Sequence, residues 1–304
     1  MDNHLTERLP LGILRFTGPD SERFLQGQLT SDVQSLGENE ACPGALCSPK
    51  GRVKATFILH KSGGDTFDML LPQSQLELVQ EALKPYAAFF KSEMQILNYE
   101  LRGLLAESSM SEFEMLESLS NFHATNDSAG QILLKLPGEL PRAIVISQES
   151  VIDLPEKLMS ISAWRLLDAL SGIIWIEGDN VEQFLPHDLS LPRLGAVSFT
   201  KGCYTGQEIV ARMHYRGNPK YQLGILECPA LPVDFSAKLE AIDAENNHVT
   251  LGNLIEIINI DDEKQWIVGV IKKEFLEMPE IRLLSDGETI TTGVRVPPML
   301  VETR

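Results

Sequence analysis

The stretch GRVKATFILHKSGGDTFDMLLP, Gly51 to Pro72, decides how the first third of the chain folds. Two runs rich in β-branched, aromatic and aliphatic residues flank Ser62-Gly63-Gly64, and the glycines supply the backbone freedom that a tight turn needs. The stretch therefore reads as a β-hairpin. Upstream, LGILRFTG (Leu11 to Gly18) reads as a strand closed by a turn. PDSERFLQGQLTSDV follows as a helix, with Phe24, Leu25, Gln28 and Leu29 at helical spacing and Asp20 or Ser21 as its N-cap. Downstream, SQLELVQEAL places Leu76, Val79 and Leu83 on one face. Pro85 ends that helix near Leu83 or starts a new short one. EMQILNYEL returns as a strand. The resulting order, β-α-β-β-α-β, is the ferredoxin-like one.

Beyond it, SEFEMLESLSN reads as a short acidic helix, and QILLKLP with RAIVIS as a second strand pair. SISAWRLLDALSG is a helix capped by Ser160 or Ser162 and stopped by Gly172, with Trp164, Leu167 and Leu170 on one face. After Pro219 the texture changes. YQLGILECP, LGNLIEIINI, KQWIVGVIKKEF, IRLLS and TITTGVRV are strand-like runs broken by Gly, Pro and Asp, which predicts a small antiparallel barrel or sandwich. The fold class is thus α+β, with a β-rich C-terminal part. Three units are expected, at residues 1–105, 106–220 and 221–304.

The 304 residues are ample for a buried core. No apolar run is long enough to span a bilayer, and MDNHLTERLPLG lacks the layout of a signal peptide, so no membrane association is expected. Four dispersed cysteines suit a reducing cytoplasm. A net charge of −17 argues against general nucleic-acid binding. One segment departs from that balance: between Ser198 and Tyr221, Lys201, Arg212, Arg216 and Lys220 stand against the single acid Glu208. It is read as a solvated helix face or as an anion site.

That segment contains KGCYTGQEIVARMHYRG, Lys201 to Gly217. Thr205 followed three residues later by Glu208 has the form of a capping box. Gly217 then ends the helix, with Asn218-Pro219 beyond it. A helix N-terminus beside Gly202 and Gly206 offers amides to a carboxylate or phosphate. Cys203 lies just upstream, where the helix dipole and Lys201 favour a thiolate. Against that stands the ordinary role of an isolated cysteine as a small buried core residue. No nucleophile signature surrounds it. Cys42 and Cys47 have C-x4-C spacing, but no second pair stands near them to complete a zinc site, so no metal is expected.

KGCYTGQEIVAR resembles the signature of the YgfZ family, folate-binding proteins related to the glycine-cleavage T-protein. TGPDSERFLQGQLTSDV and SPKGRVKATFIL are similar to that family's opening blocks, and the resemblance spans nearly the whole chain. It implies a T-protein-like folate-binding body with a central hole or cleft, followed by a C-terminal barrel. It also implies tetrahydrofolate or a derivative as ligand, and a role in maintaining iron–sulfur enzymes, including a tRNA methylthiotransferase. Two folate-proximal tryptophans of the family correspond to Trp164 and to the aliphatic Leu11. The T-protein's GGV-x-D-D acids correspond to Ala55 and Thr56, and its pterin-holding acid in E-x-G to Leu170-Ser171-Gly172.

Without that carboxylate the chain is expected to act as a folate-binding accessory protein of iron–sulfur enzymes. The alternative is a tetrahydrofolate-dependent one-carbon transferase of the aminomethyl type. Trp164 would offer a stacking face to the pterin, and Lys201, Arg212 and Arg216 charges to its glutamate tail. Leu11, Tyr204 and Gln207 complete the expected folate contacts. Trp175 and Trp266 are expected to lie elsewhere, and Cys203 is the candidate functional thiol.

Overall fold

The computed structural model describes residues 5–106, 111–127, 130–148, 158–229, 238–243, 245–278, 280–285 and 288–297. After β1 (Leu5–Arg8) the chain runs through β2 (Leu11–Thr17), α1 (Ser21–Gln26), β3 (Ala41–Cys47), β4 (Val53–Gly63), β5 (Thr66–Pro72), α2 (Leu76–Ala87) and β6 (Glu93–Leu97). Strands β3-β4-β5-β2-β6 form one antiparallel sheet in that order. Period-two alternation sorts its side chains. Leu14, Phe16, Phe57, Leu59 and Met69 pack on one face with Phe24 and Leu25 of α1 and Val79 and Leu83 of α2. Ile13, Ile58 and Leu70 turn the other way, into the central core.

The ferredoxin-like order is present, with departures. β3 is an added edge strand that the sequence reading lacks, because Pro43 and Gly44 look like loop residues; an edge position tolerates Pro43. α1 stops at Gln26, well short of the helix expected through Val33. α2 runs through Pro85, in its last turn, to Ala87, so the proline neither ends the helix near Leu83 nor starts a new one. EMQILNYEL is not one strand: β6 ends at Leu97, and β7 (Glu100–Leu105) joins a different sheet.

That second sheet has the order β1-β7-β10-β9-β8. Its other strands follow α3 (Ser111–Ser118): β8 (Ala124–Asn126), β9 (Ile132–Leu136) and β10 (Arg142–Ser147). Two of its five strands therefore come from the first 105 residues, and the two α+β units interleave. Helix α4 (Ile161–Leu170) is capped by Ser160, whose hydroxyl accepts from the Ala163 amide at 3.1 Å. Helix α5 (Gln207–Arg216) ends at Gly217.

The C-terminal strands β11 (Tyr221–Pro229), β12 (Lys238–Ile242), β13 (His248–Asn259), β14 (Lys264–Lys272), β15 (Glu280–Ser285) and β16 (Glu288–Arg295) close into a barrel ordered β11-β14-β13-β12-β15-β16. Closure decides between barrel and sandwich and leaves no free strand edge. The sequence reading has five of these strands and lacks β12. A short helix, α6 (Lys273–Leu276), follows β14.

α4 lies on the second sheet through Trp164, which is 1% exposed. An ideal Cβ on Gly103 of β7 would fall 2.3 Å from the Trp164 ring, so only glycine admits the indole. Gly103→Ala is therefore expected to destabilise the fold by about 1–3 kcal/mol, the usual cost of overpacking. Urea unfolding should show a lower midpoint at unchanged m, and a Gly103→Ala/Trp164→Leu double variant should recover part of the loss.

Candidate functional site

The glycine-flanked loop before α5 is built onto the first sheet. Thr30, in the turn after α1, donates its hydroxyl to the Ala196 carbonyl at 2.7 Å and accepts the Ala45 amide at 2.8 Å. The Ser198 amide returns to the Thr30 carbonyl at 2.9 Å. Lys201 completes the joint: its Nζ donates to the carbonyls of Leu29 and Ser31, both at 2.8 Å, and lies 5.2 Å from the centre of the Tyr204 ring. Burial holds the Lys201 pKa down to about 8 and pushes the Tyr204 phenol above its ordinary value. Both residues are thus bracing groups inside the joint, and Lys201 is not a surface cation facing a ligand.

The capping box does not form. The N-cap of α5 is Gly206, at φ 84°, with no side-chain cap. A Cβ there would lie 2.5 Å from the Ser48 carbonyl, so the left-handed turn fits only glycine. That turn sends Thr205 away from the helix, and its hydroxyl meets Gln28 Oε1 at 3.2 Å. Glu208 is exposed in the first turn, Gln207 is half-buried, and Arg212 and Arg216 are exposed on the outer face.

Cys203 is exposed, which overturns its reading as a core residue. Cys47 and Cys228 are buried and Cys42 is intermediate. Burial pushes Cys42 up to about 11 and Cys47 up to about 12. Cys42 packs with the helix side of the first sheet and Cys47 in the central core, so the two do not share a face. No group of three or more metal-ligating side chains gathers among the described residues.

Trp164 and Leu11 both lie in closed core. With Trp175, Asp168 and Glu177 they line a cavity of about 10 Å³, room for about one water. A 1%-exposed ring has no face open to a pterin. The Arg142 guanidinium lies 4.9 Å from the Trp164 ring centre and donates to Asp168 at 2.7 Å; the second Asp168 oxygen accepts from Trp175 Nε1 at 2.9 Å. Burial raises the Asp168 carboxyl against the pull of Arg142. Trp175 is therefore not remote from Trp164.

A ligand-sized space is lined by Arg142 as well. A cleft of about 660 Å³ opens between the C-terminal end of α4 and the barrel. Its walls include Leu167, Leu170 and Ser171 of α4, Gly138 to Leu140 of the β9–β10 turn, Arg142, and Val294 to Val296 of the barrel. Arg295 lies over the Trp266 ring at 5.1 Å and donates to Glu227 at 3.0 Å, so Trp266 touches a wall residue of the cleft without lining it. The sequence reading missed Arg142 and Arg295; the only signal was an arginine at or next to an end of each of the strand-like runs RAIVIS and TITTGVRV.

Thr56, at the position of a T-protein acid, faces the centre of the molecule. Its hydroxyl donates to the Ile174 carbonyl at 2.5 Å and accepts the Ile176 amide at 3.0 Å. Both roles of the hydroxyl are taken by backbone.

At the far end of α5, His214 stacks on Phe199 with ring centres 3.6 Å apart, and His187 lies 6.0 Å from each. Both His187 nitrogens are buried without a hydrogen-bond partner. Burial, with lesser contributions from His214 and Lys273, holds its pKa down to about 4.

No family model matches the chain. Among curated relatives, the tRNA-modifying protein YgfZ of Hamiltonella defensa is 32% identical over 90% of this chain and 85% of its own. The protein of the same name from Cronobacter sakazakii is 31% identical over 97% and 95%, and that of Colwellia psychrerythraea 28% over 99% and 94%. Among solved structures, the glycine cleavage system aminomethyltransferase T of Bartonella henselae superposes with a TM-score of 0.71 at 15% identity. The match covers 98% of this chain and 86% of that one. The T-protein-like fold and the closed barrel agree with the expectation from sequence.

Two outcomes follow from the geometry. With a disulfide reagent at neutral pH, one thiol per native chain should react fast and the other three only on unfolding. Cys203→Ser should abolish the fast phase while changing stability by less than about 0.5 kcal/mol. The pKa of His187 lies below its unfolded value of about 6.5, so the unfolded state binds the proton first and stability falls as pH drops from about 6.5 towards about 4. His187→Phe, which keeps the ring, should flatten the denaturation midpoint across that window.

Proposed function

The chain belongs to the YgfZ family, and we propose on that premise that it is a folate-binding accessory protein of tRNA modification. The observation that carries the reading is the cleft of about 660 Å³ beside Arg142 and Arg295. Its size lies within the range of small-molecule sites. Leu140, Leu167, Leu170, Val294 and Val296 supply apolar walls suited to a pterin and a benzoyl ring, and Arg295 a charge suited to a glutamate carboxylate. Trp164 then acts from behind Arg142, by packing, and Lys201 braces the loop before α5, so neither is a contact. Tetrahydrofolate or a derivative is the ligand class that the T-protein resemblance implies.

Aminomethyl transfer is not part of this reading. Such chemistry calls for a group that assists the departing amine. At position 56 the chain carries a hydroxyl committed on both sides to backbone. A bound folate would instead report one-carbon status or stabilise a competent conformation. The relatives' name supports a role in tRNA modification, and the family resemblance points to iron–sulfur enzymes of that process as clients. Exposed Cys203 is the chemistry the surface offers such a client. No described helix is long and apolar enough to cross a membrane, and a cytoplasmic site of action fits the free thiols.

Calorimetric titration with tetrahydrofolate tests the reading. Leu140, 52% exposed on the cleft wall, can be enlarged with little risk to folding. Leu140→Trp and Arg295→Gln should each weaken binding about tenfold or more, the scale of a charge-assisted hydrogen bond. Loss of a Trp266 fluorescence change in Arg295→Gln would place the tail at that wall. No binding at millimolar ligand, or affinity unchanged in both variants, would remove folate from this cleft.

A further inference from the structure

The end of α5 remote from Cys203 brings two features together. The first is exposed aromatic area. Tyr215 is 67% exposed and packs edge-on against His214, ring centres 4.9 Å apart, while His214 is itself exposed over Phe199. The second is uncompensated positive charge. Arg212 and Arg216 stand one turn apart on α5, and Lys220 and Lys273 are joined through the Lys273 amide and Lys220 carbonyl at 3.0 Å. None of the four cations has an acidic partner among the described residues. The acids closest to these cations in sequence are Glu208, at the opposite end of α5, and Glu274 and Glu277, of which Glu274 lies within 4.0 Å of Lys272. In a chain of net charge −17, four unpaired cations around two stacked rings form a local field of opposite sign. Over a Debye length of about 10 Å at 0.1 M salt, that field outweighs the distant acids.

We propose that this face of α5, with Tyr215, His214 and Phe199 as a stacking platform and Arg212, Arg216, Lys220 and Lys273 around it, is a docking surface for an unpaired RNA loop. Single strands are held by a base on an aromatic face and phosphates on flanking cations, without a sequence code. Phe199 backs the His214 ring, and the exposed rings of His214 and Tyr215 are the faces left for bases. An A-form duplex presents no unstacked base to it, so a loop is preferred over a helix. The inference extends the tRNA-modification reading by making RNA itself a partner. It rests on that reading only for the choice of RNA among polyanions, and it does not require the folate cleft.

The test is fluorescence anisotropy of the full chain with a labelled short RNA hairpin, a blunt duplex of the same stem, and anionic phosphatidylserine vesicles. Folate calorimetry runs on the same samples. The hairpin should bind more tightly than the duplex. Its log affinity should fall with log salt between about 50 and 200 mM with a slope of about −3, for four phosphate contacts. Tyr215→Ala should weaken the hairpin complex about tenfold at unchanged slope, and Arg212→Gln/Arg216→Gln should roughly halve the slope. All these positions are exposed, and circular dichroism checks the fold. Equal binding of hairpin and duplex, variants that bind like the parent, or vesicles bound with the same variant dependence would each overturn the assignment. RNA binding without folate binding would overturn the cleft reading alone, and folate binding without RNA binding this one alone.

Discussion

The Lys201 ammonium sits between the carbonyls of Leu29 and Ser31, and the candidate surfaces are referred to that joint. A buried lysine is costly unless its protons are taken up; two carbonyls and the Tyr204 ring do so here. Thr30, between the two accepting residues, is held from both sides by Ala196 and Ala45. The turn after α1, strand β3 and the loop before α5 consequently move together or not at all. The position of Gly206 against Ser48, the axis of α5, the exposure of Cys203 and the platform near Tyr215 follow from that bracing.

Sequence reasoning recovered what local pattern determines. The Gly51–Pro72 hairpin, the helix capped at Ser160 and most barrel strands carry their own periodicity and punctuation. It failed where tertiary context overrides the pattern. β3 holds Pro43 and Gly44 in a strand because it lies at an edge. Residues 93–105 look continuous, but the pleat of one sheet ends at Leu97 and that of another begins at Glu100. Thr205 and Glu208 have capping spacing, yet Gly206 adopts a conformation set by contact with Ser48, a residue far away in the chain.

The candidate site divides the same way. The segment from Lys201 to Gly217 was legible as important, but not which of its residues face outward. Lys201 and Tyr204 turned out to be internal, whereas Arg212, Arg216 and Cys203 are on the surface. Trp164 and Leu11 entered only through the family resemblance, as expected folate contacts; the structure puts both on one small internal cavity. Arg142 and Arg295 could not be found, because each stands at the end of its strand with no motif around it, and only the docking of barrel on body brings them to one cleft.

The interleaving of the two sheets bears on how the chain emerges from a ribosome. β1 is made first, yet its partner across the register Leu5 to Leu104 is β7, and that strand needs β10 on its other side. The first sheet can close as soon as β6 is made, while β1 waits beside it as an unpaired edge. Contacts of such long sequence separation are slow to form, and open strand edges attract other chains. Vectorial synthesis thus leaves a nascent intermediate with a sticky N-terminal strand. The acidity of the whole chain, through mutual repulsion of nascent copies, helps keep that intermediate apart until the second sheet is complete.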